Sequence, residues 1–121
     1  MKYDIKEYFS YHHYEVIKGK NKINKKCEEV EKLVPEIKKI LVQNGAKRII
    51  IFGSFVEKNF SISSDLDVAE EGIPDHLFFK TYSRLCDISG NIEIDLIDLK
   101  EAGGYFRKRI MEGEILYDAK K

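Results

Sequence analysis

Two apolar periods alternate along this chain. From Lys26 to Asn44 the apolar residues fall at Cys27, Val30, Leu33, Val34, Ile37, Ile40 and Leu41, the spacing of a helix with one buried face. Pro35 lies inside that stripe; it lacks an N–H and crowds the preceding turn, so it should kink the helix or begin a second one. Gly45 suits the position just past the helix end. Arg48 to Phe52, with three isoleucines between, reads as a short buried strand. A brief helical turn over Phe55–Lys58 and a serine-rich loop over Phe60–Ser64 lead into a second strand, Asp65–Glu70. Gly72-Ile73-Pro74-Asp75 marks the start of another helix, with Pro74 near its first position and Phe78, Tyr82, Leu85 and Ile88 as its buried stripe. Gly90 ends it. Ile92 to Leu99 alternates as a third strand. The last helix carries Phe106, Ile110 and Met111 up to Gly113, its start loosened by Gly103-Gly104, and Ile115–Tyr117 reads as a small edge strand.

Ahead of these elements, Ile5, Phe9, His12 and Val16 sit at helical spacing over Tyr3–Ile17, although the tyrosines and Val16-Ile17 also suit a strand. Lys18 to Lys26 is polar and basic and reads as a loop or frayed helix start. The expected organisation is therefore a helical extension over residues 1–25 and one domain over 26–121. The domain belongs to the α/β class, a small mixed β-sheet packed with helices. A chain of 121 residues has room for one core and no separate substrate domain.

Composition narrows the function. Lys+Arg and Asp+Glu are 21 each, so no net basic charge advertises nucleic-acid binding. Cys27 and Cys86 have no zinc-type spacing and read as reduced thiols of a cytoplasmic protein. No apolar run reaches the ~18 residues of a membrane span, and the start does not resemble a signal peptide. His12 and His13 are adjacent and point apart, which suits a surface better than chelation. Tyr3, Tyr8, Tyr11 and Tyr14 combine apolar bodies with polar tips, as core or interface residues do.

The chemistry lies in one constellation. Gly53-Ser54 follows the first strand directly, ten residues separate it from Asp65-Leu66-Asp67, and Asp95 and Asp98 lie in the third strand. Residues i and i+2 of a strand share a face, so Asp65 and Asp67 point the same way, roughly 7 Å apart at their backbones. Carboxylates so held suit Mg²⁺, which takes hard oxygen ligands from one or two carboxylates and from substrate phosphates. A Gly-Ser turn lets backbone N–H groups and a hydroxyl approach those phosphates. The combination points to phosphoryl or nucleotidyl transfer. Asp95 should share the face of Asp65 and Asp67; Asp98 falls on the opposite face and resembles a cap or turn residue.

Phe52-Gly53-Ser54, Ser64-Asp65-Leu66-Asp67-Val68, Ile94-Asp95-Leu96-Ile97-Asp98-Leu99 and Glu112-Gly113-Glu114-Ile115-Leu116-Tyr117, in that order, resemble the nucleotidyltransferases related to DNA polymerase beta. The likeness is greatest to the minimal nucleotidyltransferases, the antitoxin (MNT) half of HEPN/MNT toxin–antitoxin pairs. The resemblance implies two Mg²⁺ ions on Asp65, Asp67 and Asp95, with Asp95 also taking the proton of the attacking hydroxyl. It implies ATP as donor, its phosphates gripped by Gly53, Ser54, Ser64 and Lys58. Lys80, Arg107 and Lys108 are further cations for the triphosphate, and Ser63 is a weaker candidate. The balanced charge sets the chain apart from polymerase-like relatives, which need a basic surface. Where such proteins carry an arginine and a glycine after Gly-Ser, this chain has Glu57 and Lys58; the glutamate would repel a triphosphate.

Three functions follow from the resemblance. The first is transfer of AMP from ATP to a tyrosine hydroxyl of a partner HEPN ribonuclease, a small all-helical toxin thereby silenced. The second is a catalytically weak antitoxin that masks the same partner, a reading favoured by Glu57. The third is transfer to a small molecule, although relatives of that kind carry an added helical domain.

Overall fold

The computed structural model describes residues 21–57 and 65–120. The expected helix over Tyr3–Ile17, with its histidines and tyrosines, lies outside them, as do Lys58, Ser63 and Ser64. Helix α1 spans Asn21–Gln43, strand β1 Arg48–Phe52, β2 Leu66–Glu71, helix α2 Asp75–Ser89, strand β3 Ile94–Asp98, helix α3 Gly104–Met111 and strand β4 Glu114–Asp118. Short 3₁₀ turns follow β1, over Gly53–Phe55, and β3, over Leu99–Glu101. The strands form one mixed sheet in the order β3-β2-β1-β4. β1 pairs antiparallel with both β2 and β4, and β2 pairs parallel with β3.

Alternation along the strands divides the core in two. Ile49 and Ile51 of β1, Leu66 and Val68 of β2, and Ile94 and Leu96 of β3 enter the larger cluster. There they meet the α1 stripe of Cys27, Val30, Val34, Ile37, Ile40 and Leu41, and Leu85 of α2. The opposite face holds a smaller cluster, Ile50, Phe52, Ala69, Leu99 and Ile110. Helix α3 covers part of it through Ile110 and through Phe106, whose ring meets Phe52 edge-on at 5.9 Å. That second face is only partly roofed.

Several local expectations need correction. Pro35 lies within a single helix and does not begin a new one. Val30, Val34, Ile37 and Leu41 are buried on either side of it, and this continuous seam outweighs one lost backbone bond. Residues 21–26, in a segment read as a loop or frayed helix start, are helical. Pro74 stands next to the first position of α2, at the cap and with extended backbone, close to its expected place. Tyr82 is exposed, and the buried place falls to Thr81, one residue away. Leu77, Thr81 and Leu85 follow the four-residue repeat, and the Thr81 hydroxyl donates to the Leu77 carbonyl at 2.7 Å, so its polar atom is satisfied. The turn after β1 begins at Gly53 rather than Phe55. Strand β3 is shorter than its apolar run, because Leu99 turns into the 3₁₀ segment. Cys27 is buried, Cys86 is exposed, and both are free thiols. Among the described residues no helix is long and apolar enough to cross a membrane.

One buried group has no counterpart in the hydrophobic pattern. Glu70 lies on the helix-covered face of β2 at 0% exposure. One carboxyl oxygen accepts the Ile73 N–H at 3.1 Å; the other is buried with no hydrogen-bond partner among the described residues. Burial raises its pKa from 4.5 to about 7, against the Ile73 hydrogen bond, which lowers it. The folded chain therefore binds this proton more tightly than the unfolded chain. The stability it contributes is complete below about pH 4.5 and lost as pH rises through about 7. Glu70→Gln keeps the oxygen that accepts from Ile73 and removes the buried charge. Thermal melts should show the variant more stable at pH 8, by on the order of 2 kcal/mol, and nearly equal to the parent at pH 4.5.

Candidate functional site

The strand pairing that builds the sheet also builds the site. In the parallel pair, Leu66 stands opposite Ile94, Asp67 opposite Asp95 and Val68 opposite Leu96. Leu66, Val68, Ile94 and Leu96 go into the large core. Asp67 and Asp95 are thereby turned together onto the partly roofed face. Asp65 precedes β2 by one residue, and Asp95 is within hydrogen-bonding reach of both Asp65 and Asp67. On its other side Asp67 pairs with Phe52, the last residue of β1. The three aspartates thus meet beside the Gly53 turn.

Gly53 has a left-handed backbone, φ 84°, and its carbonyl accepts the N–H groups of Val56 at 3.0 Å and Glu57 at 2.9 Å. A Cβ here would overlap the Asp67 carboxylate, with the carboxyl carbon only 3.1 Å away. The glycine is required twice, by its φ and by the acid packed against it. Ser54 follows it, half-buried, in the 3₁₀ turn.

Electrostatics distinguish the aspartates. Burial, then the charges of Asp95 and Asp65, push Asp67 up to about 6; Arg109 opposes the rise. Asp95 is raised by burial and by Asp65. Three carboxylates crowded this way form a site short of positive charge. Among the described residues no three His, Cys, Asp or Glu side chains converge as a finished metal cage; the aspartates engage one another. A cluster of hard oxygens whose like charges outweigh the relief from Arg109, and which opens to solvent, nonetheless fits Mg²⁺, which uses few protein carboxylates and completes its shell from substrate and water.

Asp98 is placed elsewhere. It accepts the Lys100 N–H at 3.1 Å, capping the turn after β3, and pairs with the Lys100 ammonium at 3.2 Å. Lys100 also reaches Asp75 at the start of α2, at 2.6 Å. Of the candidate cations, Arg107 donates to the Leu99 carbonyl at 2.8 Å and serves to seat α3. Lys80 and Lys108 are exposed. Two basic residues that the sequence reading passed over stand nearer. Lys26 of α1 feels Asp65 and Glu93, and burial lowers its pKa. Arg109 of α3 feels Asp67 and pairs with Glu57, Nε to one carboxyl oxygen at 3.0 Å and Nη2 to the other at 3.3 Å. Its signal was the spacing from Phe106: three residues along a helix returns to the same side.

A family model described as polymerase beta, nucleotidyltransferase, matches residues 35–121. No curated protein matches the sequence. Among solved structures, a toxin–antitoxin with AMP-PNP is 22% identical, covers 70% of this chain and 73% of its own, and superposes with a TM-score of 0.60. A mutant of the MntA toxin–antitoxin is 20% identical, with 70% and 72% covered and a TM-score of 0.58. The toxin–antitoxin MntA–HepT is 20% identical, with 72% and 71% covered and a TM-score of 0.54. At these identities the likeness is one of fold.

Two changes should move stability in opposite directions without nucleotide or metal. The folded pKa of Asp67 lies above its ordinary 3.8, so its contribution is full below about pH 3.8 and lost as pH rises through about 6. Asp67→Asn should melt higher than the parent at pH 7.5, by on the order of 1 kcal/mol after allowing for solvent screening, with the gap closing toward pH 4. Gly53→Ala should lose on the order of 2 kcal/mol at either pH, from the positive φ and the overlap with Asp67.

Proposed function

Because the chain belongs to the polymerase beta nucleotidyltransferase family, we propose that it transfers AMP from ATP to a tyrosine hydroxyl of a partner HEPN ribonuclease and so acts as its antitoxin. The observation that carries this reading is the register of β2 and β3, which sets Asp67 against Asp95, with Asp65 in reach, on an accessible face beside the Gly53 turn. The toxin–antitoxin descriptions of the structural neighbours, one with AMP-PNP, support it. In this reading the acceptor oxygen attacks the α-phosphorus of ATP, the bond to the β-phosphate oxygen breaks, and pyrophosphate leaves. Asp95, the most exposed of the three acids, takes the hydroxyl proton. Asp65, Asp67 and Asp95 would hold two Mg²⁺ ions, which when bound neutralise the triphosphate and the leaving oxygen. Gly53 lets the phosphates approach the backbone, and Ser54 offers its hydroxyl; Ser64 and Lys58 complete the proposed grip. The cytoplasm is the setting this partner implies.

A second reading keeps the partner but removes the chemistry: a mask that silences the toxin by binding. Glu57 favours it, since it places a carboxylate in the residues after Gly53 and engages a nearby cation.

The two readings separate in one experiment. Incubation with Mg²⁺-ATP should add the mass of one AMP to a partner tyrosine, and ribonuclease activity should stay suppressed after the proteins are parted. Asp95→Asn and Asp67→Asn should each lower transfer at least ~10²-fold, within the range of a lost general base or metal ligand. Suppression that needs no ATP and vanishes on separation would establish the mask instead.

A further inference from the structure

The Arg109–Glu57 pair joins two elements that the site depends on. Glu57 hangs from the turn, its N–H bonded to the Gly53 carbonyl at 2.9 Å. Arg109 comes from α3, and its guanidinium meets the Glu57 carboxylate with two nitrogens. The charges of Arg109 and Asp67 also act on each other. Arg109 therefore stands between the Gly53 turn and the aspartate cluster, where an anionic substrate would arrive. Both side chains are about two-fifths exposed, at 41% and 42%, and an ion pair so open to water contributes little to stability. A planar fork of N–H donors binds phosphate as readily as carboxylate.

We propose that Arg109 is a phosphate-binding residue of this site, and that Glu57 is the internal anion that holds it when no nucleotide is present. The proposal rests on the nucleotidyl-transfer reading and assigns it a residue and a restraint. The triphosphate displaces the Glu57 carboxylate from the guanidinium, so Glu57 competes with substrate for the same donors. An arginine is thereby supplied to the turn from α3, at a cost in affinity.

Calorimetric titration of the full chain with Mg²⁺-ATP, and separately with inorganic tripolyphosphate, tests this. Arg109→Gln should weaken binding of both by about tenfold, the scale of a lost charge-assisted hydrogen bond, and Arg109→Lys should fall between it and the parent. Glu57→Gln should tighten binding about threefold, and that gain should vanish in the Glu57→Gln/Arg109→Gln double variant. Melting curves of each variant check that the fold is kept. Unchanged affinity in folded Arg109→Gln would make the pair a simple surface tie and overturn the proposal. A Glu57→Gln gain that persists without Arg109 would reduce Glu57 to plain repulsion and overturn it as well. Either result leaves the transfer reading standing, since that reading is tested separately by AMP transfer to the partner and by its loss in Asp67→Asn and Asp95→Asn. No binding by any of the chains would overturn both.

Discussion

The parallel pairing of β2 with β3 is the constraint from which the site follows. A one-residue slip of β3 against β2 would turn Asp95 into the helix-covered core, away from Asp67, and expose Ile94 and Leu96. That slip is forbidden by the apolar residues, not by the acids. Hydrophobic burial on one face thus holds like charges together on the other, against their repulsion. Burial, and after it the charges of Asp95 and Asp65, raises the pKa of Asp67.

Strand β1 completes the arrangement from the other side. Its antiparallel register puts Phe52 opposite Asp67, so the turn that follows must pass over the carboxylate. Only a residue without a Cβ can make that passage at φ 84°. Helix α3 covers the same face partially, with Ile110 buried and Phe106 against Phe52. It shelters Asp67 while leaving Asp95 accessible. Arg109 is carried to the edge of the site by this same packing.

Glu70 offers a contrast on the same strand. It lies at the opposite parity to Asp67 and is wholly enclosed, and burial leads its shift as it leads that of Asp67. Both acids depress stability near neutrality, yet only Asp67 faces a surface that a ligand can reach. A perturbed carboxyl marks a candidate site when geometry opens it, and otherwise marks a local cost.

Much of this was written in the order of residues. The α1 stripe from Cys27 to Leu41, the Ile-rich strand β1 and the Asp65-x-Asp67 alternation each rest on a period of a few residues, so near neighbours decide them. The shared face of Asp65 and Asp67 is local in this sense, and so is the exclusion of Asp98 by parity. Tertiary structure decided the rest. Which strand lies beside β2, and in what register, depends on contacts between residues far apart in the chain, and so Asp95 met Asp67 only in the folded sheet. The burial of Thr81 in place of Tyr82 came from how α2 is rotated against its neighbours, since Phe78, Tyr82 and Leu85 fitted a helical stripe equally well on paper. The continuity of α1 through Pro35 came from the core on either side of it. Arg109 and Glu57 are 52 positions apart, and no pattern of short period connects them; α3 must first settle on β1 before the two can touch.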